Sequence, residues 1–175
     1  MGHGKEFEDA LMDALEEWVG DEGVPLLRKQ SMSMRRGRFQ MNQEMDILVD
    51  SANQEYFVGL EAKSRNGESR LGFYFSSDLN IEQIQGGIEY AEKSGRDYVI
   101  AVEVRNYENS EYDKTAWLVA PELFVLCHEN EEKKVSWEQI DQYGYCIGHD
   151  RDYEITRDVI DAVLLDSPRL ESMLE

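Results

Sequence analysis

The stretch Gly59-Leu60-Glu61-Ala62-Lys63-Ser64 ends an apolar run, residues 55–64, whose composition is typical of a buried β-strand. The run closes with a carboxylate and an ammonium group two residues apart. Because residues i and i+2 of a strand point to the same face, Glu61 and Lys63 are predicted to stand side by side. The neighbouring sequence indicates what these two opposite charges hold.

A second β-rich run, residues 44–50, precedes this strand. The connection, residues 51–54, reads Ser-Ala-Asn-Gln, which favours the turn of an antiparallel hairpin. Counting back from a turn centred near Asn53 places Asp46 at about the level of Glu61. Two carboxylates at that distance repel each other unless a cation lies between them.

Oxygen ligands of this kind, which leave positions open for water, suit Mg²⁺ or Mn²⁺. Such an ion acidifies a bound water and stabilises charge on a phosphoryl oxygen, and a lysine beside it orients the attacking water. Asp46, Glu61 and Lys63 therefore outline a phosphodiesterase site. The alternative is an exposed ion pair between Glu61 and Lys63 that contributes little to stability, and the apolar residues before Glu61 argue against it.

Helices and strands alternate along the chain. An amphipathic helix is predicted over residues 5–19, followed by three strands and a second helix over residues 80–94. Asn80 is the expected N-cap of the second helix, Gly95 is its stop, and the pair Gly86-Gly87 indicates that another backbone comes close. Two further strands and a helical tail follow, so the predicted fold is α/β with a mixed sheet.

The length of 175 residues fits one domain, and a hydrophobic content of 41% is that of a folded protein. No apolar run is long enough to span a bilayer or to form the core of a signal peptide. Cys127 and Cys146 are too few for a disulfide framework, as expected in a reducing compartment. We therefore expect a cytoplasmic protein without a membrane partner.

Acidic residues outnumber basic residues by 37 to 18, which gives a net charge of −19. With a normal apolar content, such an excess indicates a folded protein with a heavily acidic surface. A halophilic cytosol explains it, because at molar salt the Debye length falls to about 3 Å and the repulsion within that surface is screened. Taken alone, this charge argues against a nucleic-acid partner.

The basic residues are nevertheless concentrated. No acidic residue lies between Glu22 and Glu44, and five of the 18 basic residues fall into positions 28–38. This pattern favours an anion-binding patch, with the DNA backbone as its first candidate ligand, over a plain solvated loop. The predicted DNA-binding residues of this segment are Arg28, Lys29, Ser31, Ser33, Arg35, Arg36 and Arg38. For the two serines, ordinary loop chemistry is an equal alternative.

The pattern of Asp46 followed by Glu61-x-Lys63 resembles the signature of the PD-(D/E)XK nuclease superfamily, with Met45 in place of the proline. "GKEFE" (residues 4–8) is similar to the first-helix motif of archaeal Holliday junction resolvases, and residues 81–104 are similar to their glutamine-bearing helix and next strand. The resemblance runs to about residue 123. It implies a restriction-endonuclease-like core, with helices flanking a mixed sheet, over residues 1–123. The resemblance does not cover residues 124–175, which we expect to be an extra helical extension packed on the same domain. This extension forms either a dimer surface or a lineage-specific cap.

In that family an aspartate, the glutamate of ExK and a glutamate of the first helix bind the metal, and the lysine assists the water. The resemblance thus assigns Mg²⁺, with Mn²⁺ as substitute, to Glu8, Asp46, Glu61 and the carbonyl of Ala62. It adds Lys63 and Gln83 as further catalytic residues. On spacing alone, Glu6 and Asp9 compete with Glu8, and Gln83 is nearly as well explained as a helix cap.

The resemblance implies a metal-dependent endonuclease that hydrolyses DNA phosphodiesters, above all in branched DNA. A homodimer is expected, because a four-way junction needs two sites. Arg65 and Arg70, just after Lys63, either hold a backbone phosphate or balance the acidic surface. Two alternatives stay open: a restriction- or repair-type nuclease on duplex or single-stranded DNA, and a catalytically silent DNA-binding module of the same fold.

A structural zinc site is the rival metal constellation. Its four candidate ligands are Cys127, His128, Cys146 and His149. The usual C-x-x-C spacing is missing, and adjacent Cys127 and His128 would point to opposite faces of a strand. The sequence therefore favours the carboxylate site over zinc.

Overall fold

The computed structural model describes residues 2–21, 26–29, 45–50, 57–68, 70–108, 110–165 and 170. Within these ranges the helices are α1 (His3–Asp21), α2 (Ile81–Ser94), α3 (Pro121–Glu129), α4 (Trp137–Tyr143) and α5 (Arg157–Leu164). The strands are β1 (Leu26–Lys29), β2 (Ile47–Asp50), β3 (Phe57–Asn66), β4 (Gly72–Tyr74), β5 (Asp97–Arg105), β6 (Lys114–Val119), β7 (Lys134–Ser136), β8 (Tyr145–His149) and β9 (Asp152–Tyr153). None of these helices is long and apolar enough to cross a membrane.

Among the described residues, seven strands form one mixed sheet in the order β1-β2-β3-β5-β6-β8-β9, and β4 pairs with β7 separately. β3 and β5 run parallel, whereas the other neighbouring pairs are antiparallel. Every residue of β5 from Tyr98 to Val104 is buried. Its nearly continuous apolar sequence fits a central strand that is covered on both faces. The predicted mixed sheet with flanking helices is confirmed.

Helices α1 and α2 cover opposite faces of this sheet. The side chain of Gln83 in α2 reaches Glu61 of β3. Arg151 joins a glutamate of α1 to Glu103 of β5, and Glu103 accepts a hydrogen bond from Ser64 of β3. Because positions 61 and 64 of one strand point to opposite faces, the two helices lie on opposite sides. The side chains around Glu61 therefore belong to the α2 face.

The ends of α2 follow the predicted local chemistry. Asn80 Oδ1 accepts hydrogen bonds from the backbone N–H groups of Glu82 and Gln83, at 3.0 and 3.3 Å. Gly95 ends the helix in the left-handed conformation, with φ at 67°. Both predictions are confirmed, and the N-cap fixes the first turn of α2, which carries Gln83.

Gly87 lies where α2 crosses β5. A Cβ atom added there would come within 2.6 Å of the Tyr98 ring. The glycine therefore makes room for an aromatic side chain, and not for a backbone as the sequence suggested. The ring belongs to the first buried residue of β5.

The described residues after Leu123 form helices, as expected for a helical extension, and also three strands. β8 pairs with β6 and β9 with β8, so both extend the large sheet, while β7 pairs with β4. These strands have only 3, 5 and 2 residues for β7, β8 and β9. Runs this short do not show the alternation of apolar and polar residues that identifies a strand in a sequence.

Candidate active site

Asp46 and Glu61 meet where the β2–β3 hairpin opens. The two strands pair antiparallel with Ile47 opposite Leu60, so one further step in the same register sets Asp46 opposite Glu61. The backbone N–H of Asp46 continues the ladder by donating to the Leu60 carbonyl at 2.8 Å. The register predicted from the turn is confirmed.

The Asp46 carboxylate is oriented by the backbone of the neighbouring strand. Its Oδ2 accepts a hydrogen bond of 2.8 Å from the N–H of Ala62. A backbone donor within a sheet is rigid, so this hydrogen bond holds the carboxylate in place beside Glu61. The assignment of the Ala62 carbonyl as a metal ligand stays a prediction.

Glu61 is held through only one of its oxygens. Oε1 lies 2.8 Å from Lys63 Nζ and accepts a longer hydrogen bond of 3.4 Å from Gln83 Nε2. Within the described part of the chain, the buried Oε2 has no hydrogen-bond partner. Glu61 is only 4% exposed, so the alternative of an exposed ion pair with Lys63 is wrong. A buried carboxylate oxygen left unpaired is unfavourable by about 1–3 kcal/mol or more.

Both carboxyl groups are difficult to ionise in this environment. Burial raises the pKa of Glu61 to about 7, and the nearby charge of Asp46 adds to the effect while Lys63 opposes it. Burial also raises the pKa of Asp46, against the hydrogen bond from Ala62. The site therefore lacks positive charge, even with Lys63 in contact with Glu61.

Two glutamates of α1 lie in different surroundings. Glu6 Oε2 is 2.7 Å from Arg151 Nη1, in the cluster on the α1 face of the sheet. Burial is the main cause of the raised pKa of Asp46, and the charge of nearby Glu8 raises it further. Glu8, unlike Glu6, is thus within electrostatic range of Asp46. Its role as a metal ligand stays a prediction.

Asp46 and Glu61 fit a divalent cation. An ion between them would relieve their repulsion and give the unpartnered Oε2 of Glu61 a ligand. Over the described residues, no three His, Cys, Asp or Glu side chains are grouped closely enough to hold a metal. Mg²⁺ often takes only one or two carboxylates and keeps several waters, so this all-oxygen pair suits Mg²⁺ or Mn²⁺.

Most of the predicted DNA-binding segment lies outside the described residues. This holds for Ser31, Ser33, Arg35, Arg36 and Arg38, and for the side chains of Arg28 and Lys29, whose backbone forms part of β1. Arg65 and Arg70 are described. Both contact the carboxylate of Asp78, which the sequence did not single out.

A second group that the sequence missed surrounds Glu103. This carboxylate is fully buried in β5 and accepts hydrogen bonds from Ser64, Tyr153 and Arg151, at 2.9, 2.6 and 3.2 Å. A single acid inside the apolar run of residues 98–104 was the signal that could have revealed it. Hydrogen-bond donors occupy both oxygens of the Glu103 carboxylate. Its role is therefore structural: it connects α1, β3 and β9.

The four candidate zinc ligands lie in different environments. Cys127 is buried in α3, whereas Cys146 is exposed on β8. The ring of His128 packs edge to face on Phe75, and that of His149 stacks on Tyr112. Both imidazoles thus serve as packing groups beside aromatic rings.

Comparison with known proteins gives the fold. No protein-family model matches the chain, and no curated protein sequence matches it significantly. The 1.6 Å structure of Hjc, a Holliday junction resolvase from the archaeal hyperthermophile Archaeoglobus fulgidus, matches with a TM-score of 0.51 and 16% identity. The match covers 82% of this chain and 96% of that one. The chain therefore has the restriction-endonuclease-like α/β core that its sequence predicted.

Proposed function

We propose that this protein is a divalent-cation-dependent endonuclease that hydrolyses DNA phosphodiesters, with branched DNA as its preferred substrate. The observation that carries the proposal is the buried pair of Asp46 and Glu61, with an unpartnered Glu61 oxygen, beside Lys63. A likeness in fold to a Holliday junction resolvase supports the choice of substrate. A purely structural role does not explain this pair, because a buried carboxylate that is left unpaired destabilises the fold.

Asp46 and Glu61 would hold Mg²⁺, for which Mn²⁺ can substitute, and the Ala62 carbonyl would be a further ligand. Glu8 is not grouped closely enough with this pair in the described residues, so it would complete the set only by moving toward the ion. When bound, the ion supplies positive charge to the phosphoryl group and lowers the pKa of a water molecule. Lys63 gives one N–H to Glu61 Oε1 and retains two more donors, enough to orient a water or a phosphate oxygen. Gln83 donates to the same Glu61 oxygen and would help to hold this carboxylate in place.

The remaining assignments follow from the same proposal. The basic segment of residues 28–38 would bind the DNA backbone beside the site. Two symmetry-related copies would supply the two cuts that a four-way junction needs, with residues 124–175 as the candidate dimer surface. A cytoplasm rich in salt is the setting that the net charge of −19 favours.

A cleavage assay in molar KCl tests the substrate. Equal concentrations of four-way junction, Y-form, duplex and single-stranded DNA are incubated with Mg²⁺ or Mn²⁺, or with EDTA. The proposal expects metal-dependent cutting that is strongest on the four-way junction. Equal cutting of all four would remove the preference for branched DNA, and no cutting at all would overturn the proposed enzyme.

Matched variants test the residues. Glu61→Gln and Lys63→Ala are expected to reduce cleavage at least 100-fold, because each removes a group from the reacting centre. Glu89 and Lys93 form another Glu–Lys ion pair, which is exposed on α2. Glu89→Gln and Lys93→Ala therefore serve as controls and should cut like the wild type. Equal rates in both sets of variants would contradict the assignment.

A further inference from the structure

A charged cluster just beyond Lys63 holds two arginines on one carboxylate. Asp78, whose side chain is only 4% exposed, contacts Arg65 Nε through Oδ1 at 3.1 Å. Its Oδ2 accepts hydrogen bonds from Arg70 Nη1 and, at 3.0 Å, from the backbone N–H of Tyr74. We call Arg65, Arg70 and Asp78 the arginine cradle.

The arginine cradle has more positive charge than its carboxylate needs. Two guanidinium groups and one carboxylate leave a net charge of +1, in a chain whose total is −19. One arginine would suffice to neutralise Asp78. The surplus favours an anionic ligand over a purely internal ion pair.

Both arginines are fixed and still accessible. Their side chains are 36% and 39% exposed for Arg65 and Arg70. Arg65 is also held by the Ser64 carbonyl, which accepts from Nη1 at 2.8 Å. Among the described residues, Arg65 bonds through Nε and Nη1, and Arg70 bonds through Nη1 to Asp78 and, at 3.5 Å, to Ser77 Oγ. The Nη2 groups of both arginines are therefore left as donors. Rigid guanidinium groups with spare N–H donors match the geometry of a phosphate.

The position of the cradle relates it to the candidate active site. Arg65 follows Glu61 and Lys63 on β3 at successive i+2 positions, so all three side chains belong to the α2 face. Two residues of a strand span about 7 Å, so Arg65 is one short step along the strand from Lys63. A ligand on the cradle would therefore lie beside the scissile group.

We propose that the arginine cradle binds one backbone phosphate of the DNA substrate, next to the phosphodiester that is cut. Asp78 does not touch DNA in this arrangement but positions both guanidinium groups on the same phosphate. The inference rests on the proposed function, since it assumes a DNA substrate. It adds a defined phosphate site and names Asp78 as the residue that assembles it.

The test is the salt dependence of DNA binding, measured by fluorescence anisotropy on a labelled four-way junction in EDTA, where cleavage is absent. The variants are Arg65→Gln, Arg70→Gln and the double variant. Without either arginine the cradle has no net positive charge, so it no longer neutralises its phosphate. If both arginines bind one phosphate, each single variant and the double variant therefore lose about 0.9 from the slope of log K against log [KCl]. Arg157→Gln is the control, because Arg157 is a 48% exposed arginine that also faces an aspartate. Its slope should equal that of the wild type.

Two results would overturn the cradle. One is an unchanged slope in the arginine variants, and the other is a loss in the double variant that is twice the single loss, which means two separate phosphates. Should the buried Asp78, left unpaired, prevent folding, Arg65→Gln/Arg70→Gln/Asp78→Asn removes its charge. This triple variant is expected to show the same loss of about 0.9, and a wild-type slope would mean that the arginines only neutralise Asp78.

The two proposals fail in different ways. Wild-type protein that cuts DNA with Mg²⁺, while every cradle variant keeps the wild-type slope, overturns the cradle and leaves the nuclease intact. Wild-type protein that neither binds nor cuts DNA overturns both. Normal cutting together with the loss of slope supports both.

Discussion

The Glu61 carboxylate is stabilised at one oxygen and left without a partner, among the described residues, at the other. Asp46 adds a second negative group from the neighbouring strand, and burial makes both charges harder to maintain. Such local instability is common at functional sites, where the protein gives up some stability for chemistry. Glu61 is therefore expected to lower the stability of the metal-free protein.

We predict that Glu61→Gln stabilises the metal-free protein by about 1–3 kcal/mol. The amide removes a buried charge, keeps an oxygen for Lys63 and provides an N–H group on the side of Asp46. Chemical denaturation in EDTA measures the change. Glu89→Gln, on the exposed surface of α2, is the control and should alter stability little. A destabilised Glu61→Gln variant would show that the glutamate serves the fold.

At the scale of single elements, the segment from β4 to α2 depends on Asp78. Burial opposes the ionisation of this carboxyl, but hydrogen bonds from Tyr74 and Arg65 and the charges of both arginines of the cradle outweigh it. Its pKa is therefore held below the ordinary value. The ionised carboxylate is the form that holds this segment together.

We predict that Asp78 makes stability fall at acid pH. A carboxyl with a lowered pKa contributes stability that is present above its unfolded pKa, near 3.8, and that is lost as the pH falls through the folded value. Denaturation at pH values from about 5 down to 2 should show this loss in the wild type and a smaller loss in Asp78→Asn. The same pH dependence in both proteins would contradict the role of Asp78.

A second element, α1, is joined to the sheet by Arg151. This side chain contacts Glu6 of α1 and the fully buried Glu103 of β5. We predict that Arg151→Ala destabilises the protein by about 3 kcal/mol, because Glu103 loses its charged partner. Hydrogen exchange should then increase in the first turns of α1, which carry Glu8. Lys93→Ala, which breaks only an exposed ion pair, is the control, and equal effects would argue against this connection.

The elements that the sequence predicted are those with local signals. Asn80 and Gly95 mark the ends of α2 through their own backbone chemistry. The turn composition of residues 51–54 predicted the pairing of β2 with β3 that sets Asp46 opposite Glu61. Asp78 was missed because its partners, Arg65 and Arg70, come from other segments. β8 and β9 were missed because such short strands are defined by pairing with β6 and with each other. Side-chain contacts and short-strand pairings of this kind leave no periodic pattern in the sequence.

At the scale of the whole molecule, the net charge of −19 is the dominant property. Charge of one sign destabilises a compact state through self-repulsion, and salt screens it. We predict that the unfolding temperature at pH 7 rises as KCl increases from 0.1 to 2 M. The control is the same series at the isoelectric pH, where KCl should have a much smaller effect. A flat or falling trend at pH 7 would contradict a surface built for high salt.

Asp46 and Glu61 are proposed to form a site for one divalent cation. Calorimetric titration with Mn²⁺, in molar KCl so that the acidic surface is screened, measures the occupancy of this site. We predict one Mn²⁺ per chain in the wild type and in the control Glu89→Gln, and at least a tenfold weaker affinity in Glu61→Gln. Equal Mn²⁺ affinity in the wild type and in Glu61→Gln would contradict the claim.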